Sequence, residues 1–329
     1  MFYDLVRRNR SYRGFDERRE ISWKELTELV DCARLTPSAA NRQPLKYDLV
    51  QEREQVAEVL KMTRWAAALP ERHLPDPGKG PTAFVILLQE SDWVNNEAAC
   101  QRDVGIVAQT LLLAAVEKGL GGLMIGNFDR EGLKRVRRYP DHLKPQLVIA
   151  LGKPAEKIVL TEVGEAGDTS YFRDAEDVHY VPKRRLQDVI WGENIRLEKS
   201  CGAVVYRREA GQILYLMEHM VQGHCSLPKG HVEGAETEEE TAHREIREET
   251  SLEVDLIPGF RKVISYAPAE NCLKEVVFFL AEARPGKMAE QETEVSSLSW
   301  EPLEQALQSL TYPSDREMLR DADDFLAKR

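Results

Sequence analysis

The 329-residue sequence lacks any apolar run long enough to span a bilayer, which excludes a membrane-crossing helix within it. It also lacks an excess of positive charge. The formal net charge is −11, so the basic surface that a general nucleic-acid grip needs to displace counterions is missing. Small phosphorylated ligands are not excluded, because a bound metal ion reverses the sign of the local field. Cysteine is scarce and scattered: Cys32, Cys100, Cys201, Cys225 and Cys272 form no C-x-x-C pair. Neither a disulfide framework nor a zinc site is expected, and reduced thiols in a cytoplasmic protein are. The first ten residues carry Asp4, Arg7, Arg8 and Arg10 with no apolar stretch after them, so no secretory signal is expected there. There is no internal repeat and no low-complexity tract.

What is present suits a globular chain: 42% hydrophobic and 31% charged residues, at a length that fits two domains. Trp23 to Leu35 places Leu26, Leu29, Val30 and Ala33 at helical spacing, with Ser22 as N-cap. Tyr47 to Val50, Phe84 to Leu88 and Gln146 to Leu151 read as strands, the last two as buried ones. Val104 to Lys118 reads as a helix apolar on most sides, with Gly119 as its C-cap. Asp168 to Asn194 turns polar and irregular, which puts a boundary near 191–199. Beyond it, Gly202 to Arg207 and Ile213 to Glu218 pair around a Glu209-Ala210-Gly211 turn. The expected domains are 1–195, an α+β layer fold, and 196–329, with one charged helix among strands.

The densest chemistry lies in the second domain. Thr237 and Glu240 form an S/T-x-x-E capping box, so a helix starts there. On it Glu245, Glu248 and Glu249 stand at i, i+3 and i+4 and share one face. Three carboxylates this close repel one another, and a hard divalent cation removes the conflict. Ala242 and Ile246 supply the apolar flank, while Glu238-Glu239-Glu240 alone reads as a solvated acidic face. The longer pattern resembles the Nudix box, G-x5-E-x7-R-E-U-x-E-E-x-G-U. Gly230, Glu236, Arg244, Glu245, Ile246, Glu248, Glu249 and Leu252 fall at its spacing. Ser251 departs from it, standing where the box has Gly. The resemblance implies an α/β/α Nudix sandwich and Mg²⁺ or Mn²⁺ on Glu245, Glu248 and Glu249, with the Gly230 carbonyl as a further ligand. It implies that Arg244 orients the carboxylates. Glu294, six residues before Trp300, becomes the candidate for an additional ligand or base, with Glu292 as its competitor. The proton acceptor is left open between Glu245 and Glu294. Leu227-Pro228-Lys229-Gly230-His231-Val232-Glu233, Gly259 to Lys262 with Tyr266, and Phe279 to Glu282 resemble diadenosine tetraphosphate hydrolases. That implies polyphosphate contacts from Lys229 and His231 and adenine stacking on Tyr266. Cys225 stands where this group often has an aromatic.

In the first domain, Arg8-Asn9-Arg10-Ser11-Tyr12-Arg13-Gly14-Phe15 and Thr36 to Pro44 recur with Asp103 to Gln109, Gly119 to Gly126, Ile149 to Pro154 and Val181 to Arg184. Together they resemble the nitroreductase family of FMN enzymes. The resemblance implies phosphate and ribityl contacts from Arg10, Ser11, Arg13 and Lys183 or Arg184. It implies amide contacts to the flavin edge from Asn41 and Gln43, and close backbone approach at Gly121, Gly122 and Gly126. NAD(P)H as electron donor and a domain-swapped homodimer through this domain also follow from it. Asn9 departs, since many members carry Arg there. The flavin would carry the chemistry, so no catalytic side chain is assigned in this domain. The whole-chain expectation is an FMN-dependent NAD(P)H oxidoreductase joined to a metal-dependent Nudix hydrolase acting on small-molecule nucleotides, with no nucleic-acid or membrane partner. The alternatives are a hydrolase on a non-catalytic flavin-binding or dimerisation domain, or a nucleotide or redox sensor.

Overall fold

The computed structural model of the protein describes residues 2–66, 72–93, 97–164, 167–192, 194–290 and 294–329. The chain separates into two compact units, Met1–Lys183 and Arg184–Arg329. Residues 184–195 thus group with the second unit, earlier in the chain than the boundary expected near 191–199.

In the first unit the elements run α1 (Phe2–Arg8), α2 (Trp23–Arg34), β1 (Leu45–Val50), α3 (Arg53–Met62), β2 (Ala83–Glu90), α4 (Glu97–Glu117), β3 (Gly121–Ile125), α5 (Arg130–Arg137), β4 (Leu143–Gly152), β5 (Ile158–Glu162), β6 (Phe172–Arg173) and β7 (His179–Lys183). Ser22 caps α2 as expected, in a reciprocal capping box with Glu25. The main sheet is antiparallel with order β1-β2-β4-β3. The period of two splits its side chains between two cores. Val85, Leu87, Ile149 and Leu151 join Leu26, Leu29, Leu111 and Ala115 of α2 and α4. Phe84, Ile86, Val148 and Ala150 join Val59 of α3 and Leu133 of α5. The central strands β2 and β4 are covered on both faces, which is why both read as continuous apolar runs. Residues after Asp168 are more ordered than their polar sequence suggests: β5, β7 and β6 form a small sheet, with β7 parallel to β5. These strands are too short and too polar to show a period.

The second unit contains α6 (Leu186–Val189), β8 (Arg196–Glu209), β9 (Gln212–Met220), β10 (Cys225–Ser226), β11 (Lys229–His231), α7 (Glu238–Thr250), β12 (Val254–Ala269), β13 (Cys272–Ala283), β14 (Val295–Pro302), α8 (Leu303–Ser309) and α9 (Pro313–Leu326). Its mixed sheet has the order β10-β9-β8-β13-β12, with β11 added on β8 and β14 on β9. β13 runs parallel to β8, and the other pairings are antiparallel. One face sends Val204, Tyr206, Val276 and Phe278 against Ala306 of α8 and Leu319 of α9. The other sends Ala203, Val205, Val277 and Phe279 against Ala242 and Ile246 of α7. Helices therefore cover both faces, the α/β/α sandwich that the box resemblance implies. Among the described residues no helix is long and apolar enough to cross a membrane.

Candidate active sites

In the second unit the geometry converges around the start of α7 and strand β11. Thr237 and Glu240 form the capping box. Glu238 is not merely solvated. It bonds Lys199 Nζ at 2.6 Å and Arg261 Nε at 2.7 Å, tying the first turn of the helix to the sheet. Arg261, the largest cause, brings the Glu238 pKa down to about 2.

Arg244 organises the acidic face. Its Nε and Nη2 bind Glu236 in a fork at 2.7 and 3.0 Å, and Nη2 also donates to the His231 carbonyl at 2.8 Å. Nη1 reaches Glu245 at 2.8 Å and Glu248 at 3.2 Å. One guanidinium thus fixes the loop and two box carboxylates together. Gly230 is required for space. A Cβ on it would fall within the Glu245 carboxyl, so any side chain there would displace Glu245. Ser251 ends α7 in the left-handed region, φ 59°, where glycine fits without strain.

Glu249 is almost fully buried, and its Oε2 accepts the Lys229 amide at 3.0 Å. Burial lifts its pKa to about 7 against the opposing field of Lys229. Burial also raises the Glu245 pKa, with Arg244 pulling the other way. Behind Glu249 stands Glu218 of β9, a residue the sequence reading passed over. It is 1% exposed, and its carboxyl meets that of Glu249. Its pKa lies well above the usual carboxylate range, first through burial and then through Glu249 beside it. An acid directly after the apolar run Ile213 to Met217 was the available signal.

The remaining assignments are placed as follows. His231 Nε2 lies 3.3 Å from Glu198 Oε2 and 3.3 Å from Lys274 Nζ. Lys274, also missed, interrupts the apolar strand β13, and burial followed by the field of Lys229 lowers its pKa. Lys229 and Lys274 thus bring positive charge beside the acidic face, with His231 between Lys274 and Glu198. Tyr266 is 40% exposed, and burial followed by the field of Asp315 raises its pKa. Tyr312, 48% exposed, meets His224 edge to face at 5.7 Å. Cys225 is buried and paired with Thr311 through reciprocal bonds of 2.9 and 3.1 Å, which sets the neighbouring Tyr312 at this edge. Glu294 is exposed, and its carbonyl accepts the Val221 amide at 2.9 Å. Among the described residues its carboxylate makes no hydrogen bond to the box, and Glu292 lies outside the described residues. Trp300 packs under the Arg207 guanidinium at 4.6 Å.

Among the described residues no three His, Cys, Asp or Glu side chains already converge as a metal cage. The donor set nevertheless fits a hard divalent cation. The box carboxylates supply oxygen ligands, and a buried carboxyl, Glu218, adjoins Glu249.

In the first unit the loop before β1 carries the clearest geometry. Ala40, Asn41 and Gln43 all have positive φ, 51°, 52° and 48°. Three non-glycine residues in that region within four positions store strain. Asp103 of α4, buried, holds the loop: Ser38 Oγ donates to it at 2.6 Å and itself accepts the Gln43 amide at 2.9 Å. The loop thereby presents the exposed Asn41 and Gln43 amides, 3.1 Å apart. Ser11 bridges Gly122 of β3, and the Tyr12 amide donates to the Gly122 carbonyl at 3.1 Å. A Cβ on Gly122 would strike the Ala150 carbonyl and Leu112. Arg10 donates to the Val6 carbonyl at 2.7 Å and leaves a buried Nε without a partner.

Arg13 lies in the interior of the unit. It is 8% exposed, lies 4.8 Å over the Tyr171 ring and donates to the Ser11 carbonyl at 3.1 Å. Its amide bonds Glu156, which pairs with Arg173. Arg13 is thus held in an interior charged cluster. Lys183 is exposed at the end of β7, and Arg184, in the second unit, donates to the Asp188 carbonyl. Gly126 is exposed, with open space where a Cβ would stand. The orphaned Arg10 Nε and the presented amide pair fit an anionic, amide-edged ligand such as FMN.

Comparison with known proteins agrees with this division. Residues 6–153 match the nitroreductase family and residues 197–322 the NUDIX domain. The second unit is similar to the asymmetrical bis(5'-nucleosyl)-tetraphosphatase of Mus musculus, 31% identical over 140 residues, covering 39% of this chain and 95% of that protein. The first is similar to a Methanothermobacter thermautotrophicus protein described as an NADH dehydrogenase/NAD(P)H nitroreductase, 28% identical over 163 residues, covering 46% of this chain and 77% of that protein. A solved C. elegans Ap4A hydrolase is 29% identical, covering 40% of this chain and 99% of that one, with a TM-score of 0.38. The chain belongs to the NUDIX family through its C-terminal part, and its N-terminal part matches the nitroreductase family, the two fused in one polypeptide.

Proposed function

We propose that the chain is a bifunctional enzyme: an FMN-dependent NAD(P)H oxidoreductase and a Mg²⁺- or Mn²⁺-dependent hydrolase of dinucleoside polyphosphates such as diadenosine tetraphosphate. The observation that carries the hydrolase reading is the Arg244 hub, which holds Glu236, Glu245 and Glu248 around Gly230. When bound, the cation neutralises phosphate oxygens and lowers the pKa of a water for attack on phosphorus. Lys229, His231 and Lys274 bind the polyphosphate, and Tyr266 and Tyr312 stack on the base. Glu245, held against Gly230 with a raised pKa, is better suited to accept a proton than the exposed Glu294.

In the first unit, bound FMN carries hydride transfer from NAD(P)H. Asn41 and Gln43 meet the flavin edge, and Arg10 and Ser11 its phosphate side. Two chains pair through this unit, as the nitroreductase resemblance implies. The test is a panel of diadenosine tetraphosphate, ADP-ribose, FAD and NADH with Mg²⁺, run beside NAD(P)H oxidation on the same yellow protein. Cleavage of the tetraphosphate together with turnover of NAD(P)H supports the reading. Flavin-free protein that oxidises no NAD(P)H would remove the first activity, and an uncleaved panel would remove the second.

A further inference from the structure

The buried stripe of α9 starts with an acid. Asp315, Met318, Leu319 and Ala322 stand at i, i+3, i+4 and i+7 and are all buried, so Asp315 faces the sheet together with core residues. It is 3% exposed. Its Oδ1 accepts from Ser314 Oγ at 3.2 Å, while Oδ2 is buried and has no hydrogen-bond partner. Such groups are rare in folded proteins, because each forfeits its water without compensation. Phe325 meets Phe260 edge to face at 5.5 Å, and Asp321 pairs with Lys262 at 2.9 Å, so α9 runs antiparallel to β12. Asp315 lies about 9 Å along the helix from Asp321, which brings it level with Ile264 to Tyr266. Val276 and Phe278 of β13 face α9, and by the period of two so does Lys274. Tyr266 opposes Lys274, and Lys229 reaches the same face through Gly202, which pairs with Phe278. Tyr312 caps α9, and its carbonyl accepts the Asp315 amide at 3.2 Å. The unpartnered oxygen thus sits under α9 on the face that carries Lys229, Lys274, Tyr266 and Tyr312. Burial raises its pKa and Lys229 pulls it back, in keeping with that placement.

We propose that Asp315 determines base specificity: its Oδ2 accepts a hydrogen bond from the exocyclic amine of an adenine stacked on Tyr266 or Tyr312. The inference rests on the reading of this face as the nucleotide site. Lys229 and Lys274 make the face positive, which disfavours a metal ion beside Asp315. A neutral amine is the donor that suits both the free carboxyl oxygen and these ammonium groups. Hypoxanthine carries a carbonyl oxygen where adenine carries the amine, and two acceptors facing each other cost binding. Both tyrosines are exposed, and exposed rings change rotamer readily, which opens Oδ2 to an entering base.

The experiment compares binding of ATP and ITP, the latter with hypoxanthine as its base, by calorimetry on the full-length chain in EDTA. In parallel, kcat and KM are measured with Mg²⁺ for diadenosine and diinosine tetraphosphate. Wild type, Asp315→Asn and Ser314→Ala are compared. Wild type should bind ATP at least about tenfold tighter than ITP, since one base makes a buried hydrogen bond and the other leaves two acceptors opposed. In Asp315→Asn the ratio should fall to about two or less, because a carboxamide offers its oxygen to the amine or its NH₂ to the carbonyl. The change should appear in KM and not in kcat, a split that general damage to the helix would not produce. Ser314→Ala frees Oδ1 and should lower the ratio about twofold, and it serves as the probe if Asp315→Asn does not fold. If wild type binds ATP and ITP equally, or both variants keep the wild-type ratio, the proposal is wrong while the nucleotide reading stands. If wild type binds neither and cleaves neither tetraphosphate, the hydrolase reading itself falls and takes the proposal with it.

Discussion

In the second unit the box carboxylates and the Arg244 that binds them come from one helix, Glu238–Thr250, and the turn before it, whereas the candidate flavin contacts of the first come from separated segments. Arg10 and Ser11 follow α1, Asn41 and Gln43 lie in the loop before β1, and Gly122 lies in β3. The helical site is fixed by a period: i, i+3 and i+4 put Glu245, Glu248 and Glu249 on one face wherever the helix forms. The dispersed site is fixed by backbone shape, namely the left-handed residues held by Asp103 and the Ser11–Gly122 bridge. A site written in local spacing survives as a motif, while one written in tertiary contacts survives only as scattered residues.

The largest way to break the comparison is to remove the metal. EDTA should abolish polyphosphate hydrolysis by at least about a thousandfold while leaving NAD(P)H oxidation unchanged. Coupled assays on one sample check this, and a parallel loss of both activities would show that the units do not act separately. The converse variant is Arg10→Ala, which should weaken FMN about tenfold, the worth of one charged hydrogen bond, and leave hydrolysis intact. Fluorescence of released flavin measures it, and unchanged affinity would take Arg10 out of the site.

A subtler difference is acid sensitivity. His179 in the first unit is 1% exposed, neither ring nitrogen has a partner, and burial followed by Arg13 and Arg173 lowers its pKa to about 4. A depressed pKa means that its contribution is complete above about pH 6.5. That contribution is lost as the pH falls toward 4, by about 3 kcal/mol at most. Calorimetry of the first unit between pH 7 and 4 should show this loss, and His179→Phe should flatten it. An unaltered slope in the variant would assign the acid lability to other groups. The smallest expected effect is Ser251→Gly, which relieves the left-handed turn after α7. It should stabilise the second unit by about 1 kcal/mol with kcat unchanged. No rise in Tm would show that the serine sits there without strain.

The residues explain what the sequence could carry. β2 and β4 are legible because a strand buried on both faces must be apolar throughout. The capping boxes at Ser22 and Thr237 are legible because they are local. Glu218, Lys274 and Tyr312 are not. Each is a single residue whose meaning depends on a partner distant in sequence: Glu218 on Glu249, Lys274 on His231, Tyr312 on the Cys225–Thr311 pairing. Arg13 shows a different limit. Its motif position implies a ligand, while its guanidinium is packed over Tyr171 in a cluster with Glu156 and Arg173 that only tertiary structure assembles.

The most direct test of the account is product analysis of diadenosine tetraphosphate incubated with Mg²⁺ and the full-length protein, with Glu249→Gln as control. The account predicts ATP and AMP in equal amounts from the wild type and none from the variant. Intact tetraphosphate, or cleavage that survives Glu249→Gln, would contradict it.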